Sequence, residues 1–530
     1  MKKTITLLTA ILLTINALAL DVWDGSAAPW TNGSGTEDDP YLIETAANLA
    51  YLAQKVSEGY QAQGMEVFAN EYFLMTDDLD LNNISWTPIG NVDYDGSSLS
   101  GFYFAGIFDG WYHNIDHLRI QTSASLTGLF AGLGGNGVIQ HLSLTNGNIN
   151  SSGFGAAGIV GATAVSAIVG QCSFSGTISI SNSDQFCGAG GIVGAAAENS
   201  AVIECSYRGS ITASNSNFMG AAGAGGIVGV AINQANIRAC YNTGNITGSA
   251  MIISVAAGIL GATLDDANIK IEDCYNTGTL SGNTKGGIFG MVSPINPFKG
   301  EAEINVTNSY YLNTCGGTTS YGTSKTSAEM QTEEFKNTLD GASHVFTMDN
   351  GGNNGYPIHT LVGVRLNDAE SVTAHSAILS AEVHKVNLTF MNLTFVYAEE
   401  NSTDYQEFEV AQNDHVELAI EDLAGNTTYS YSIVWRFDDV NYNQCGPKYF
   451  TTEVDDIDEI SYLDINIYPN PTSDFIYIES IEPQQVTIYS LDGKMIKSIE
   501  NTNIVDVRDL DKDIYLINID GIVKKLIIEN

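Results

Sequence analysis

Apolar and polar positions alternate in short runs from about residue 101 to residue 312. Runs of Ile, Val, Leu and Ala, three to five residues long, are bounded by Gly, Asn, Thr and Ser. Apolar β-branched runs between turn-forming residues are typical of short strands. No stretch of this region shows a sustained helical period. The region is therefore predicted to consist of short β-strands.

A four-residue phrase returns at nearly constant spacing within this region. It reads GIVG three times, then GILG and GIFG, and successive starts differ by 33, 35, 32 and 29 residues. The copies are Gly158–Gly161, Gly191–Gly194, Gly226–Gly229, Gly258–Gly261 and Gly287–Gly290. One strand-turn-strand unit cannot bury its apolar face alone, so tandem units must stack. The repeat predicts a parallel β-solenoid whose coils rise by about 4.8 Å.

The same periodicities assign the inner face and the ends of the solenoid. Ile192 and Ile227 are expected to face the core, and the flanking glycines are expected to form tight corners with positive φ. An amphipathic period over Glu44–Glu58 predicts a helix that caps the first coil, whose edge would otherwise be open. A second helix is predicted near Ser327–Leu339, with its inward residues at Ala328, Met330, Phe335 and Leu339.

Two smaller β-domains are predicted after the repeats. From Val364 to Thr452 apolar and polar residues alternate with a turn every ten residues or so, which is typical of an antiparallel sandwich. Tyr429 follows Leu423 by six residues, the spacing of a tyrosine corner. Strands alternating around turns such as Leu491–Lys494 predict another small sandwich at the C-terminus.

The predicted fold is therefore all-β, with a defined order of segments. Lysines at positions 2 and 3, a short apolar core and an Ala-Leu-Ala site mark a signal peptide, and the apolar run is too short to span a membrane. The predicted segments are a signal peptide at 1–19, a lead-in with the capping helix at 20–85, a solenoid at 86–360, a sandwich at 361–453, an acidic linker at 454–462 and a C-terminal domain at 463–530.

Two resemblances cover the repeats and the first sandwich. The phrases GGIVG, CYNTG and AGIFDGWYHNIDHLRI resemble the GLUG-motif repeat family, over roughly Trp86 to Pro357. That family implies a solenoid in a bacterial secreted or surface protein and implies no reaction. The segment IEDLAGNTTYSYSIVW, with KYFTTE at Lys448–Glu453, resembles a fibronectin type III domain.

A third resemblance concerns the C-terminus. Tyr468, Pro469, Asn470 and Pro471, followed by a strand-turn series containing Gly493 and Lys494, resemble the type A sorting domain of the type IX secretion system. The resemblance implies that the secretion machinery is a partner. It also implies an extracellular or outer-surface location in a Gram-negative bacterium.

Charge narrows the range of partners. The chain has 21 Lys and Arg against 61 Asp and Glu, a net charge of −40. Nucleic-acid binding is disfavoured, because its affinity comes from cations that neutralise phosphates. Acidity also keeps an exported protein soluble.

The cysteines repeat in step with the glycine phrase. Cys172, Cys205, Cys240 and Cys274 fall into one column, and Ser143 and Ser309 are expected at its two ends. Stacked Cα atoms would allow disulfides between coils. A ladder of small buried residues is the alternative, and serines at both ends favour it. Cys187, Cys315 and Cys445 have no evident partner in the sequence.

Metal sites receive little support from the sequence. Asn91, Asp93 and Asp95 resemble the first half of a calcium loop, but its twelfth position would be Phe102 instead of a bidentate Glu. A polar turn is therefore preferred to a calcium site. No cofactor is expected, and no CxxC or HExxH motif is present.

Two groups of residues could serve either a structural role or a functional one. Asp109, Asp116, His113 and His117 lie close in sequence and could perform acid-base chemistry, although their phrase is also the structural repeat. Tyr207, Tyr241, Tyr275 and Tyr310 follow the cysteine column and could form a ladder that packs, or one that stacks on sugar rings.

The expected function is a secreted or surface binding scaffold, or adhesin, whose solenoid binds a glycan or a protein. A polysaccharide-active β-helix enzyme, lyase or hydrolase, is the alternative.

Overall fold

A computed structural model describes residues 22–94, 99–183, 186–218, 220–263, 267–292, 302–341, 345–349, 351–386, 392–411, 413–436, 442–454, 465–479 and 484–529. The predicted signal peptide and most of the predicted acidic linker lie outside these residues. The described chain is almost entirely β, with helices at Ala46–Ser57, Ser327–Met330 and Glu333–Asp340.

Residues 41–325 form a solenoid of four parallel sheets, here called sheets I to IV. Each complete coil visits sheets II, III, IV and I in turn. Sheet I contains Tyr41–Ile43, Tyr72–Met75, Ile107–Asp109, Val138–Gln140, Ile168–Gly170, Ser200–Ile203, Gln234–Arg238, Asn268–Glu272 and Glu303–Thr307. Sheet II contains Leu79–Asp80, Asn114–Asp116, Arg119–Thr122, Ser143–Ser151, Ser173–Asn182, Ser206–Asn215, Tyr241–Asn242, Asn245–Ala250, Tyr275–Asn276, Leu280–Ser281, Tyr310–Leu312 and Thr323–Lys325.

The other two sheets are built around the glycine phrase. Sheet III contains Leu126–Thr127, Gly155–Ala157, Phe186–Gly190, Ala221–Gly225, Ile253–Ala257 and Thr284–Gly286. Sheet IV contains Glu66–Val67, Tyr103–Phe104, Phe130–Leu133, Val160–Thr163, Val193–Ala197, Val228–Ile232, Leu260–Thr263 and Phe289–Val292. The predicted parallel solenoid is confirmed.

Parallel pairing begins earlier than the expected boundary at residue 86. Tyr41–Ile43 already pairs in parallel with Tyr72–Met75, so part of the lead-in is itself solenoid. The predicted N-terminal helix is present at Ala46–Ser57. Thr45 caps it, because the Thr45 hydroxyl accepts the Asn48 N–H and the Asn48 side chain accepts the Thr45 N–H.

The second predicted helix is divided into two. Ser327–Met330 and Glu333–Asp340 are separated by a break at Gln331 and Thr332, and the Thr332 side chain caps the later helix. Met330, Phe335 and Leu339 face inward as predicted, but Ala328 is exposed.

The repeated glycines are required by contact between coils. A Cβ on Gly191 would lie 2.2 Å from the carbonyl oxygen of Gly226, and one on Gly226 would lie 2.1 Å from that of Gly258. The closing glycines repeat this contact, since a Cβ on Gly194 would lie 2.5 Å from the Gly161 oxygen. None of these glycines has a positive φ, so the expected conformational reason is wrong. Only glycine lets adjacent backbones approach this closely.

The cysteine column is a ladder of free, buried thiols. The backbone N–H of Cys205 points to Sγ of Cys240 at 3.4 Å, and the N–H of Cys240 points to Sγ of Cys274 at 3.4 Å. Ser309 ends the column as predicted, because its hydroxyl accepts the Cys274 N–H. The other end was misassigned: Ser143 pairs with Ser173, so Leu142 stacks on Cys172. Burial raises the pKa of Cys205 and of Cys274.

Residues 361–451 form an antiparallel sandwich. Its three-stranded sheet contains Leu361–Leu366, Ala377–Val386 and His415–Ile420, and its four-stranded sheet contains Gln406–Val410, Asn392–Glu399, Thr428–Arg436 and Tyr442–Thr451. Tyr429 is buried, and its hydroxyl accepts the N–H of Ala424 at 2.9 Å, as in a tyrosine corner. The fibronectin type III assignment itself stays a prediction.

Residues 467–527 form a second antiparallel unit with its own apolar core. One sheet contains Ile467–Tyr468, Phe475–Ile478 and Ile504–Asp506, and the other contains Met495–Thr502, Gln484–Ser490, Ile514–Ile519 and Ile522–Ile527. Short two-stranded ribbons elsewhere pair Asp93–Tyr94 with Leu99–Ser100 and Phe346–Thr347 with Ile358–His359.

We expect Ile227→Asp to destabilise the solenoid by about 3–5 kcal/mol, because it places an unpaired charge in a fully buried position. The matched control is Asn236→Asp, which adds the same charge at an exposed position beside Lys270. Chemical denaturation followed by circular dichroism measures both. Equal stability of the two variants would contradict the inward assignment.

Candidate functional site

The predicted tyrosine ladder is divided between two faces of sheet II. Phe174 pairs with Tyr207, but Tyr207 pairs with Asn242 and not with Tyr241. Tyr207 stands two residues after its cysteine and Tyr241 only one, and a shift of one residue in a strand moves a side chain to the opposite face. Tyr207 is therefore inside the solenoid, with 1% of its surface exposed, and cannot stack on a ligand.

Asparagines fill the inner positions that the tyrosines leave. Asn242 and Asn276 are fully buried, and Nδ2 of Asn242 donates to Oδ1 of Asn276 at 2.8 Å. Each side chain also accepts a backbone N–H from its own coil, from Gly244 or Gly278. The buried amides thus satisfy one another between coils.

Tyr241, Tyr275 and Tyr310 lie on the outer face of sheet II. The Tyr241 and Tyr275 rings stack with centroids 5.0 Å apart and planes at 6°. Tyr275 is fully buried, because the chain after the solenoid covers it with Phe335 and Phe346. Tyr241 and Tyr310 are half-buried. Of the four predicted stacking residues, only these two keep an accessible edge.

The covering chain, residues 345–359, is here called the cap segment. Its His359 is buried against Tyr241, and Nε2 of His359 donates to the Ala239 carbonyl at 2.7 Å. Asn353 donates to the Tyr275 hydroxyl at 2.9 Å, and that hydroxyl donates to the Pro357 carbonyl. Burial lowers the pKa of His359 and so favours its neutral imidazole, while the hydrogen bond to the Ala239 carbonyl acts in the opposite direction.

A groove of about 480 Å³ opens between the cap segment and sheet II. Ser175, Arg208 and Thr243 line one side, and Asp349 and Asn353 line the other. Nη1 of Arg208 donates to the Gly352 carbonyl at 3.1 Å, which leaves the rest of an exposed guanidinium for a ligand. A cation, a carboxylate, hydroxyl groups and the half-buried Tyr241 ring therefore line the same groove.

Asp349 organises the loop that forms one wall of this groove. Its carboxylate accepts the backbone N–H groups of Gly352, Asn353 and Gly355, at 2.8, 2.6 and 3.0 Å. Partial burial opposes ionisation, but these backbone donors outweigh it and hold the pKa of Asp349 below its usual value. The carboxylate is thus committed to shaping the loop.

Beyond the groove, the outer face of sheet II carries uncharged polar rows. One row stacks Asn148, Thr177, Ser210, Asn245 and Thr279, and the next stacks Asn150, Ser179, Thr212, Thr247 and Ser281. Rows on neighbouring strands repeat at about 4.8 Å. Each row offers both donors and acceptors, because hydroxyls and amides do both. The sequence analysis did not predict this face, although the periodic polar residues within each repeat are a signal that could have located it.

Of the four residues proposed for acid-base chemistry, Asp116 and His117 are in contact at 3.3 Å, but Asp109 and His113 form pairs elsewhere. Asp109 pairs with His141 at 2.9 Å, His113 pairs with Asp78 at 3.2 Å, and His117 contacts Asp80 at 2.9 Å. Burial opposes ionisation of Asp109, yet the bond from His141 holds its pKa below the usual range. These pairs join neighbouring coils, which is a structural use.

A corner that the sequence did not predict adjoins these pairs. The residue before each member of the column, from Leu142 to Ser309, adopts a left-handed conformation, with φ between 42° and 54° at His141, Gln171, Glu204, Ala239, Asp273 and Asn308. Hydrogen bonds link the side chains across coils, since Tyr112 donates to Gln171 at 2.6 Å and Gln171 donates to Glu204 at 2.7 Å. These contacts hold non-glycine residues in a conformation they rarely adopt.

The calcium candidate forms a turn in the part that is described. Oδ1 of Asn91 accepts the Phe102 N–H at 2.7 Å, and Nδ2 of Asn91 donates to the Ser57 carbonyl. Asp93 accepts the N–H of Tyr94, and Asp95 lies outside the described residues. Among the described residues, no three His, Cys, Asp or Glu side chains gather as a metal-binding group.

The sorting-motif residues are held at one end of the C-terminal unit. Oδ1 of Asn470 accepts the Ile527 N–H and Nδ2 donates to the Lys525 carbonyl, so the motif is fixed to the last strand. Pro469 and Pro471 line a shallow depression beside it, and the exposed Tyr468 ring stacks on Tyr477. Gly493 has a φ of 84° in a tight turn closed by the Ser490 N–H and the Lys494 carbonyl.

We expect Asp349→Asn to lower the stability of the cap segment at pH 7 by about 1.5–3 kcal/mol, the value of hydrogen bonds to a charged group. Because the pKa of Asp349 is depressed, its contribution is complete above the ordinary Asp pKa and disappears as pH falls through the folded-state value. Thermal unfolding and limited proteolysis at pH 7 and in acid measure this. The control is Glu303→Gln, which removes an exposed carboxylate. If Asp349→Asn were as destabilising in acid as at pH 7, the role assigned to the Asp349 carboxylate would be contradicted.

Comparisons with known proteins cover parts of the chain. A proposed glycine-rich membrane protein of Evansella cellulosilytica is 29% identical over 160 residues, and halomucin of Haloquadratum walsbyi is 28% identical over 161. These matches use 29% and 28% of this chain but span only 16% and 2% of the relatives' own lengths. None of the described helices is long and apolar enough to cross a membrane.

Solved structures give two further similarities. A proposed immunoglobulin A1 protease from Bacteroides ovatus aligns over 62% of this chain and 94% of its own, at 23% identity and a TM-score of 0.43. The sensor domain of the anti-sigma factor RsgI4 from Pseudobacteroides cellulosolvens aligns over 18% of this chain and 95% of its own, at 24% identity and a TM-score of 0.16.

The C-terminal unit has a direct family match. Residues 466–529 match the secretion system C-terminal sorting domain. The matched range contains the Tyr-Pro-Asn-Pro motif and the Gly493 turn. The C-terminus of this chain is therefore a secretion system sorting domain, and the protein is a β-solenoid exported to the cell surface or beyond.

Proposed function

We propose that the protein is an extracellular binding scaffold whose solenoid holds a glycan along sheet II. The observation that carries the proposal is the groove, where Arg208 and the Tyr241 ring face the cap segment beside the polar rows. A sugar presents hydroxyls to donors and acceptors and an apolar ring face to aromatics. The groove and the rows supply all three kinds of partner.

The polar rows favour an extended ligand. The row from Asn148 to Thr279 and the row from Asn150 to Ser281 continue from coil to coil, and neither row contains a charged side chain. A polymer lying along the solenoid axis would meet the same donors and acceptors in each coil. An extracellular protein with a polar strand or loop is the other partner that this face would accept.

The side chains that line the groove favour ligand binding over polysaccharide cleavage. Glycoside hydrolysis generally uses two carboxyl groups on either side of the scissile bond. Asp349 is the one carboxylate among the described lining residues, and three backbone N–H groups already engage it. Arg208, the lining cation, is anchored to the Gly352 carbonyl.

We expect Arg208→Ala to weaken glycan binding by tenfold or more, because a charge-assisted hydrogen bond contributes about 1.5–3 kcal/mol. The matched control is Lys270→Ala, which removes an exposed cation from sheet I, outside the polar rows and the groove. A glycan array followed by calorimetry measures binding, with a reducing-sugar assay in parallel. Equal affinity of the two variants would contradict the groove, and released reducing ends would favour the enzyme.

The sorting domain makes export testable. We infer that the type IX machinery reads residues 463–530 as a folded unit and that the surface form ends near Val454–Ile460, a segment rich in acidic residues. Removing 463–530 should leave a stable protein in the periplasm, detected by cell fractionation. Appending residues 454–530 to a periplasmic reporter should export it. Normal surface levels of the truncated protein would contradict the inference.

A further inference from the structure

A second candidate binding surface lies on the sandwich, away from the solenoid groove. It is the outer face of the four-stranded sheet, together with the loop at residues 400–405, and is here called the sandwich cleft. The cleft has a volume of about 580 Å³. The sequence analysis assigned no binding role to this domain.

Strand pairing brings the floor of the cleft together. Val396 pairs with Glu407 on one side and with Ser432 on the other, so these three side chains cross the sheet on one face. The next row contains Ala398, Ser430 and Tyr449. The floor is therefore part apolar and part hydroxyl-bearing.

Two tyrosines form the opposite rims of this floor. Tyr405 is 56% exposed and Tyr449 is 57% exposed. Tyr449 belongs to one edge strand of the sheet, and Tyr405 directly precedes the opposite edge strand. Three strand spacings separate them, about 14 Å. The two exposed rings and the partly apolar floor between them form a wide surface that a ligand can contact. Because each ring is more than half exposed, it packs little against other side chains.

The edge strand beside Tyr449 bends around the cleft. Its register shifts between the partners of Tyr431 and Ile433, opposite Gly446 and Pro447. A β-bulge of this kind increases the local twist and curves the strand. Pro447 lines the cleft as a result, and the face becomes concave instead of flat.

Charge restricts the ligand class. Glu400 and Glu407 are the charged residues among those that line the cleft, and both are acidic. The whole chain adds a net charge of −40. Polyanionic glycans would therefore be repelled, whereas the hydroxyls of a neutral sugar can donate to these carboxylates.

We propose that the sandwich cleft is a binding site for neutral oligosaccharides, with Tyr405 and Tyr449 stacking on sugar rings and Glu400 and Glu407 accepting their hydroxyls. Apolar faces of pyranose rings match the aromatic rims, and the strand hydroxyls of the floor match the ring edges. The site is separate from the solenoid groove, so the exported chain would hold carbohydrate at two places. Two weak sites on one chain raise the avidity for a polymer.

The test uses the full chain after removal of its signal peptide, in affinity electrophoresis with hydroxyethylcellulose, xyloglucan and mannan. Heparin and polygalacturonate serve as polyanionic probes. Tyr405→Ala and Tyr449→Ala are each expected to weaken retention on a neutral polysaccharide by about tenfold or more, because each removes a large stacking surface. Tyr405→Phe and Tyr449→Phe keep the ring and should retain binding. Phe218→Ala, which removes an exposed ring from the solenoid, is the matched control.

The same measurements separate this site from the solenoid groove. Arg208→Ala should leave the cleft's contribution intact, so the double variant Arg208→Ala with Tyr449→Ala should bind more weakly than either single variant. Thermal unfolding of every variant confirms that the sandwich stays folded. Retention of none of the neutral probes, stronger retention on heparin or polygalacturonate, or full binding by both alanine variants would overturn the proposal. A change of oligomeric state on Tyr449→Ala without any polysaccharide retention would overturn it as well.

Discussion

The close approach of backbone to backbone at the two glycine columns governs this molecule. At Gly191 and Gly226 an added Cβ would lie within 2.2 Å of the next coil's carbonyl oxygen, far inside van der Waals contact. Each coil must therefore follow the path of the one before it. Sheets III and IV meet at this corner, so the glycines fix the register of both sheets.

A fixed register turns small differences in sequence into different surfaces. Tyr207 and Tyr241 are neighbours in the repeat, yet one fills the core and the other lies outside, because their distances from the column cysteine differ by one residue. Asn242 and Asn276 fill the inner positions as a hydrogen-bonded pair. Where the tyrosines face outward, the cap segment folds over them, and the groove forms at its edge.

The arrangement suits a protein that holds a ligand outside the cell. The solenoid supplies a rigid, repetitive polar face, the sandwich supplies an aromatic-rimmed sheet, and the sorting domain directs export. The polar cluster that suggested catalysis connects neighbouring coils instead: Asp109 bonds His141 and His117 bonds Asp80. Carboxylates used in this way stabilise left-handed corners and are not placed around a common substrate position.

The sequence by itself determined the solenoid, the capping helix and the sorting domain, because each depends on a local period or motif. Glycines and inward-facing apolar residues that recur at a nearly constant spacing specify stacked coils from one repeat to the next. The tertiary structure decided what non-local contacts control: the steric role of the glycines, the face of each tyrosine, and the place of Leu142 in the cysteine column. It also decided the groove, since Arg208 and Asp349 are far apart in sequence and line one groove only because the cap segment returns across sheet II.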